Sequence, residues 1–136
     1  MNYSKFSTEI IVRPSDIDLN GHVHYSKYLD YLLAARYDQM SRCYKLSMEK
    51  FLELGYSWVA TTTHINFKRP IKLMDNVNVN AQIESITGAQ VKLNFWIEKK
   101  DCGKISADGY AIYTMIGIKT GRPVRIPEDI VAKYSI

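Results

Sequence analysis

Over residues 76–84 the chain alternates position by position. Val77, Val79, Ala81 and Ile83 fall on one side, and Asn76, Asn78, Asn80, Gln82 and Glu84 on the other. A period of two belongs to a strand with one dry and one wetted face. After a Thr87-Gly88 turn the pattern returns, with Val91, Leu93, Phe95 and Ile97 set against Lys92, Asn94, Trp96 and Glu98. Asp101-Cys102-Gly103 predicts the next hairpin turn. Residues 105–118 predict a long last strand, broken at Thr120-Gly121-Arg122-Pro123. Residues 58–69, rich in Thr, Ile, Val and aromatics, predict another strand, which Pro70 ends. A first strand is expected over residues 7–13, with Ile10 and Val12 on one face.

The period changes only near the N-terminal third. Tyr25, Tyr28, Leu29, Leu32, Ala35, Arg36 and Met40 recur at helical spacing and predict a helix over residues 24–44. Tyr31, Leu33, Ala34 and Tyr37 fill much of its remaining circumference. A helix apolar on nearly every side is expected to be surrounded by protein. A short helix over residues 47–54 should stop at Gly55, and a last one should start near Pro127.

The order is therefore strand, helix, then four long antiparallel strands. Each strand has one apolar face, and the apolar helix is the one element able to cover it. The expected fold is α+β: a five-stranded antiparallel sheet wrapped around one long central helix. At 136 residues, the chain is read as a single domain spanning 1–136.

Composition narrows the classes. No apolar run approaches the ~20 residues of a membrane helix, and the start, Met-Asn-Tyr-Ser-Lys-Phe-Ser-Thr-Glu, has no apolar leader core. A cytoplasmic protein that uses no membrane is expected. Net charge is +4, with small basic groups at Lys68, Arg69 and Lys72, at Lys99 and Lys100, and at Arg122 and Arg125. No run of five basics occurs, so nucleic acid is not the expected partner, and a phosphate-bearing small ligand fits the mild excess better. Cys43 and Cys102 lie far apart outside any CxxC or Cys/His cluster, and reduced thiols are expected.

Chemistry is concentrated in one stretch. Asp16, Asp18, Asn20, His22 and His24 fall within nine residues, just before the helix start, with Gly21 among them. A helix start offers unpaired N–H groups and a partial positive charge, which suit a carbonyl that becomes an oxyanion. An adjacent carboxylate can act as base towards water or as nucleophile. Taken singly, Asp16, Asp18 or Asn20 reads first as a helix cap, and His22 or His24 as a surface or capping residue. The spacing fits no standard helical metal pattern, and no metal is expected.

The segment Asp16-Ile-Asp18-Leu-Asn-Gly21-His-Val23, with Tyr28-Leu29 after it, resembles the signature of the 4-hydroxybenzoyl-CoA thioesterase-like branch of the hotdog superfamily. Phe67-Lys-Arg-Pro70 followed by Asp75, and the segment 120–127 ending in Pro127, resemble later motifs of the same branch. The resemblance covers nearly the whole chain. It implies hydrolysis of acyl-CoA thioesters without a cofactor. It also implies Asp18 as the catalytic carboxylate and the backbone near Tyr25 as the carbonyl-polarising group. The site would lie at a dimer interface. The segment also resembles plant acyl-ACP thioesterases, whose Asp, Asn and His would fall at Asp18, Asn20 and His22. Where those enzymes carry Asn-Asn after His-Val, this chain has His24-Tyr25. The rival expectations are an acyl-ACP thioesterase and a non-catalytic acyl-CoA-binding module.

Assembly is expected too, as a homodimer or homotetramer. The strand around residues 60–67 would be an exposed, β-prone edge. Trp58, Ile65, Phe67, Trp96, Tyr113 and Met115 suggest apolar surface beyond what one helix covers.

Overall fold

The computed structural model describes residues 3–136. In chain order the elements are β1 (Lys5–Ile11), α1 (Tyr25–Arg42), α2 (Met48–Glu53), β2 (Tyr56–Phe67), β3 (Asn76–Thr87), β4 (Gln90–Lys99), β5 (Ile105–Gly117) and α3 (Glu128–Tyr134). The strands form one antiparallel sheet in the order β1-β3-β4-β5-β2. This is the hotdog arrangement, with α1 as the filling.

The alternating residues choose the dry face. Val77, Val79, Ala81 and Ile83 of β3, and Val91, Leu93, Phe95 and Ile97 of β4, are all buried. Ala107, Ala111, Tyr113 and Met115 of β5 join them. Against them α1 lays Tyr28, Tyr31, Leu32, Ala35, Gln39 and Met40. Each large apolar side chain so buried contributes about 1.5–3 kcal/mol relative to exposure, so this single interface holds the fold together. Phe51 of α2, edge-on to Trp58 at 5.5 Å, closes one end.

His24 caps the start of α1, its ring nitrogen accepting from the Ser26 N–H at 3.2 Å, and so lies just outside the helix. At the other end the Cys43 and Tyr44 N–H groups both reach the Gln39 carbonyl, and Lys45 turns left-handed at φ 59°. The helix thus stops two residues before the boundary the periodicity suggested.

Two expectations about apolar surface are corrected. The helix is not enclosed by its own chain: Leu29, Leu33 and Tyr37, spaced by four, stay 44%, 50% and 48% exposed. Conversely, Tyr113 and Met115 belong to the core, and Trp58, Ile65 and Trp96 are partly buried. Of the six residues expected to form extra apolar surface, only Phe67 is exposed.

β2 is an edge strand, and residues 59–64 along it are exposed. A register shift sets Thr61 out of the ladder, its hydroxyl 3.2 Å from the Ile112 carbonyl oxygen. Further along, β2 runs against Gly109 of β5 so closely that a Cβ there would overlap the His64 carbonyl oxygen.

Candidate active site

Between β1 and α1 the chain makes a compact polar loop. Asp18 accepts two backbone N–H groups on the same oxygen: Oδ1 takes Asn20 at 2.8 Å and His22 at 3.2 Å. Its own N–H donates to the His22 carbonyl at 2.8 Å, and its carbonyl accepts from Gly21 at 3.1 Å. The loop closes on itself because Gly21 adopts φ +76°, a conformation that a side chain disfavours. Oδ2 of Asp18 has no protein partner among the described residues. One carboxylate oxygen is therefore an anchor and the other is available for chemistry.

Asp16, two residues earlier, has a different place. It is 1% exposed and accepts from the Tyr31 hydroxyl at 2.7 Å, the Arg13 N–H at 3.1 Å and the Arg13 guanidinium at 3.3 Å. Burial alone would raise its pKa, but the hydrogen bonds from Tyr31 and Arg13 and the Arg13 charge outweigh it, leaving the carboxyl below its ordinary range. Asp16 is a buried strut. Its carbonyl also accepts the His24 N–H at 2.8 Å, which ties the loop to the helix start.

An open cleft runs beside Asp18. One bank is Asp18, His22, Val23, Tyr25 and Tyr28, and the other is Phe67, Lys68, Arg69 and Pro70. The two banks are stitched together beneath, where the Val23 N–H meets the Ile71 carbonyl at 2.7 Å. Tyr28, 4% exposed, packs edge-on to Phe67 with ring centroids 5.0 Å apart. Burial raises its pKa, the nearby Asp18 charge raises it further, and the Ile71 backbone opposes both. Lys68 pairs with Asp108 at 2.8 Å, and Arg69 donates to the Ile105 carbonyl at 2.9 Å.

The first turn of α1 faces this cleft through Tyr25. The Ser26 N–H is taken by His24, and the Lys27 N–H by the His24 carbonyl. The Tyr25 N–H has no acceptor among the described residues. Its ring stacks on His24 at 4.5 Å and is 68% exposed.

Of the residues singled out in the sequence, Asp18, His22 and Tyr25 meet at this cleft, while Asn20 gives the site its backbone and leaves its side chain exposed outside. Tyr28 and the bank from Phe67 to Pro70 had no assigned site role. The proline turn carried the signal, but nothing local says that it folds back onto Asp18. Among the described residues no group of three or more His, Cys, Asp or Glu side chains is gathered as a metal site. Cys43 and Cys102 are both unpaired thiols.

A family model described as the thioesterase-like superfamily matches residues 12–134. The chain belongs to that superfamily. Thioester hydrolysis is the chemistry of that superfamily. The protein is 25% identical over 123 residues to the long-chain acyl-CoA thioesterase FadM of Escherichia coli, covering 90% of this chain and 92% of that one. The DHNA-CoA thioesterase of Staphylococcus aureus superposes with a TM-score of 0.88 at 22% identity, covering 96% of this thioesterase and 89% of that chain. A putative oleoyl thioesterase of Lactobacillus plantarum gives 0.89 at 26% identity, with 98% of this chain and 51% of that chain covered. No described helix of the thioesterase is long and apolar enough to cross a membrane.

Proposed function

We propose that this thioesterase hydrolyses acyl-CoA thioesters, with Asp18 as the reacting carboxylate. The observation that carries the reading is the asymmetry of Asp18: Oδ1 is held by two backbone N–H groups while Oδ2 is unpartnered beside an open cleft. The thioester carbonyl oxygen lies against the Tyr25 N–H, where the helix start stabilises the charge that develops. Oδ2 takes a proton from water as the water oxygen bonds to the carbonyl carbon, or attacks that carbon itself to give an anhydride that water then opens. In either case the C–S bond breaks and coenzyme A leaves as a thiolate, a good leaving group that needs no strong acid. His22 lines the same bank and contacts the substrate beside Asp18. Lys68 and Arg69 on the facing bank give the cleft the cationic rim that the phosphates of coenzyme A favour. The relative FadM, named for long-chain acyl-CoA, supports the same carrier. The exposed side chain of Asn20 counts against the acyl-ACP alternative, whose Asp-Asn-His set is not gathered around the cleft. Thiol release from acyl-CoAs of short, long and aromatic type, with Asp18→Asn as control, tests the reading. Binding without release would favour a non-catalytic module.

We further propose that the working unit is at least a homodimer, with the acyl chain lying between α1 and the second copy. Leu29, Leu33 and Tyr37 form an uncovered apolar row on α1, and β2 leaves an unpaired edge at one end of the sheet. A second copy across a twofold axis would give each a partner.

A further inference from the structure

Arg36 projects from α1 onto the dry face of the sheet. Its guanidinium carbon lies 3.7 Å from the centre of the Tyr113 ring, within the core. None of the ion pairs among the described residues includes it. Among the described residues it donates to Met40 Sδ at 3.6 Å, and the Tyr113 hydroxyl is a second, neutral partner beside it. A thioether is a weak acceptor, whereas a guanidinium presents five N–H donors and keeps its charge at any physiological pH. A half-buried cation left this way is short of an acceptor.

A second group beside it has the same deficit. Tyr134 of α3 is 4% exposed, and its hydroxyl has no hydrogen-bond partner among the described residues. Arg36 and Tyr134 line one void between α1, β3, β4 and α3, together with Gln39, Tyr44 and Leu93. Gln39 already spends its amide N–H groups on Thr8 Oγ1 at 3.1 Å and the Val79 carbonyl at 3.3 Å. Only about 20 Å³ of the void is open to a group the size of a water oxygen. It therefore admits the head of a ligand, with the remainder outside. Two donors on one void, one of them charged, with no carboxylate among the residues lining it, match a carboxylate head.

Leu29 and Leu33 are exposed, and Arg36 follows at i+7 on the same side of α1. From Tyr25 to Arg36 the helix axis advances about 16 Å, the reach of an extended long acyl chain. We propose that Arg36 and Tyr134 form a carboxylate subsite for the far end of an acyl chain, so that thioesters of long-chain dicarboxylic acids are preferred substrates. This rests on the hydrolase reading above, since it places the thioester at Tyr25 and Asp18.

The test compares kcat/KM for dodecanedioyl-CoA and dodecanoyl-CoA in wild type, Arg36→Met, Arg36→Lys and Tyr134→Phe. The expected result is a tenfold or larger preference for the dicarboxylic ester, abolished in Arg36→Met and weakened in the other two. Equal rates on the two esters in wild type, or an unchanged ratio in Arg36→Met, would overturn the proposal. A second arm needs no turnover and so separates this proposal from the hydrolase reading. Thermal unfolding is followed with free dodecanedioate, dodecanoate or acetate. Stabilisation of wild type by dodecanedioate above the other two, lost in Arg36→Met, supports the subsite even if neither ester is cleaved. Equal stabilisation by acetate would assign the site to a free small carboxylate and overturn the acyl-end assignment, as would no shift at all.

Discussion

The Tyr31 hydroxyl donates to Asp16 Oδ2 across 2.7 Å, joining the second turn of α1 to the loop that carries Asp18. Removing that donor leaves a buried carboxylate short of a partner, so Tyr31→Phe is expected to cost about 1–3 kcal/mol in urea unfolding. The pH dependence follows from the same contact. Asp16 has its pKa pushed up by burial, but more strongly down by Tyr31 and Arg13, so in the folded protein it lies below its ordinary 3.8. A depressed carboxyl stabilises the fold above its unfolded pKa, and that stability is lost as pH falls towards the folded value. Wild type should therefore lose stability below about pH 4. The acid-unfolding midpoint of Tyr31→Phe should lie at higher pH.

Asp18→Asn keeps an oxygen that can accept from Asn20 and His22 and replaces only the unpartnered Oδ2. Its circular dichroism and melting temperature should stay near wild type. The loss of a base or nucleophile should lower kcat by about 10²–10⁴-fold. A folded variant with near-wild-type kcat would remove Asp18 from the mechanism.

Ionic strength should act on binding rather than on chemistry. Lys68 and Arg69 flank the cleft at its exposed rim, and screening lengths shrink from ~10 Å at 0.1 M to ~3 Å at 1 M salt. KM for acyl-CoA is expected to rise across that range while kcat holds. A flat KM would mean that the phosphates do not meet this bank.

Light scattering at micromolar concentration should give a particle of at least twice the 15.7 kDa chain mass. Leu33→Glu, which places a charge in the middle of the exposed row on α1, should shift that particle towards the monomer. A fully active wild-type monomer would defeat the shared-interface reading.

Most of the sheet was legible because alternation is a local property. Val77 to Ile83 and Val91 to Ile97 each declare their buried face within a few residues. The limits of the reading lie where burial is decided at long range. Asp16 and Asp18 look alike in the sequence, yet Tyr31, fifteen positions on, makes the first a strut and leaves the second at the cleft. Tyr113 and Met115 alternate like any strand residues, and only the placing of α1 over β5 shows that they face inward. The helix period likewise marked Leu29, Leu33 and Tyr37 as apolar, but periodicity cannot say whether the covering surface comes from the same chain.

Gly109 sits in β5, away from both walls of the cleft, and pairs with Ile65 only two positions before Phe67. Any larger residue there would meet the His64 carbonyl oxygen and force the edge strand outward. The wall formed by Phe67 to Pro70, at the end of that strand, would shift with it. The width of the cleft beside Asp18 is thus gauged by a methyl group that is missing from a neighbouring strand. A sequence that kept every residue of the opening but filled position 109 would carry the right chemistry in a mouth of the wrong size.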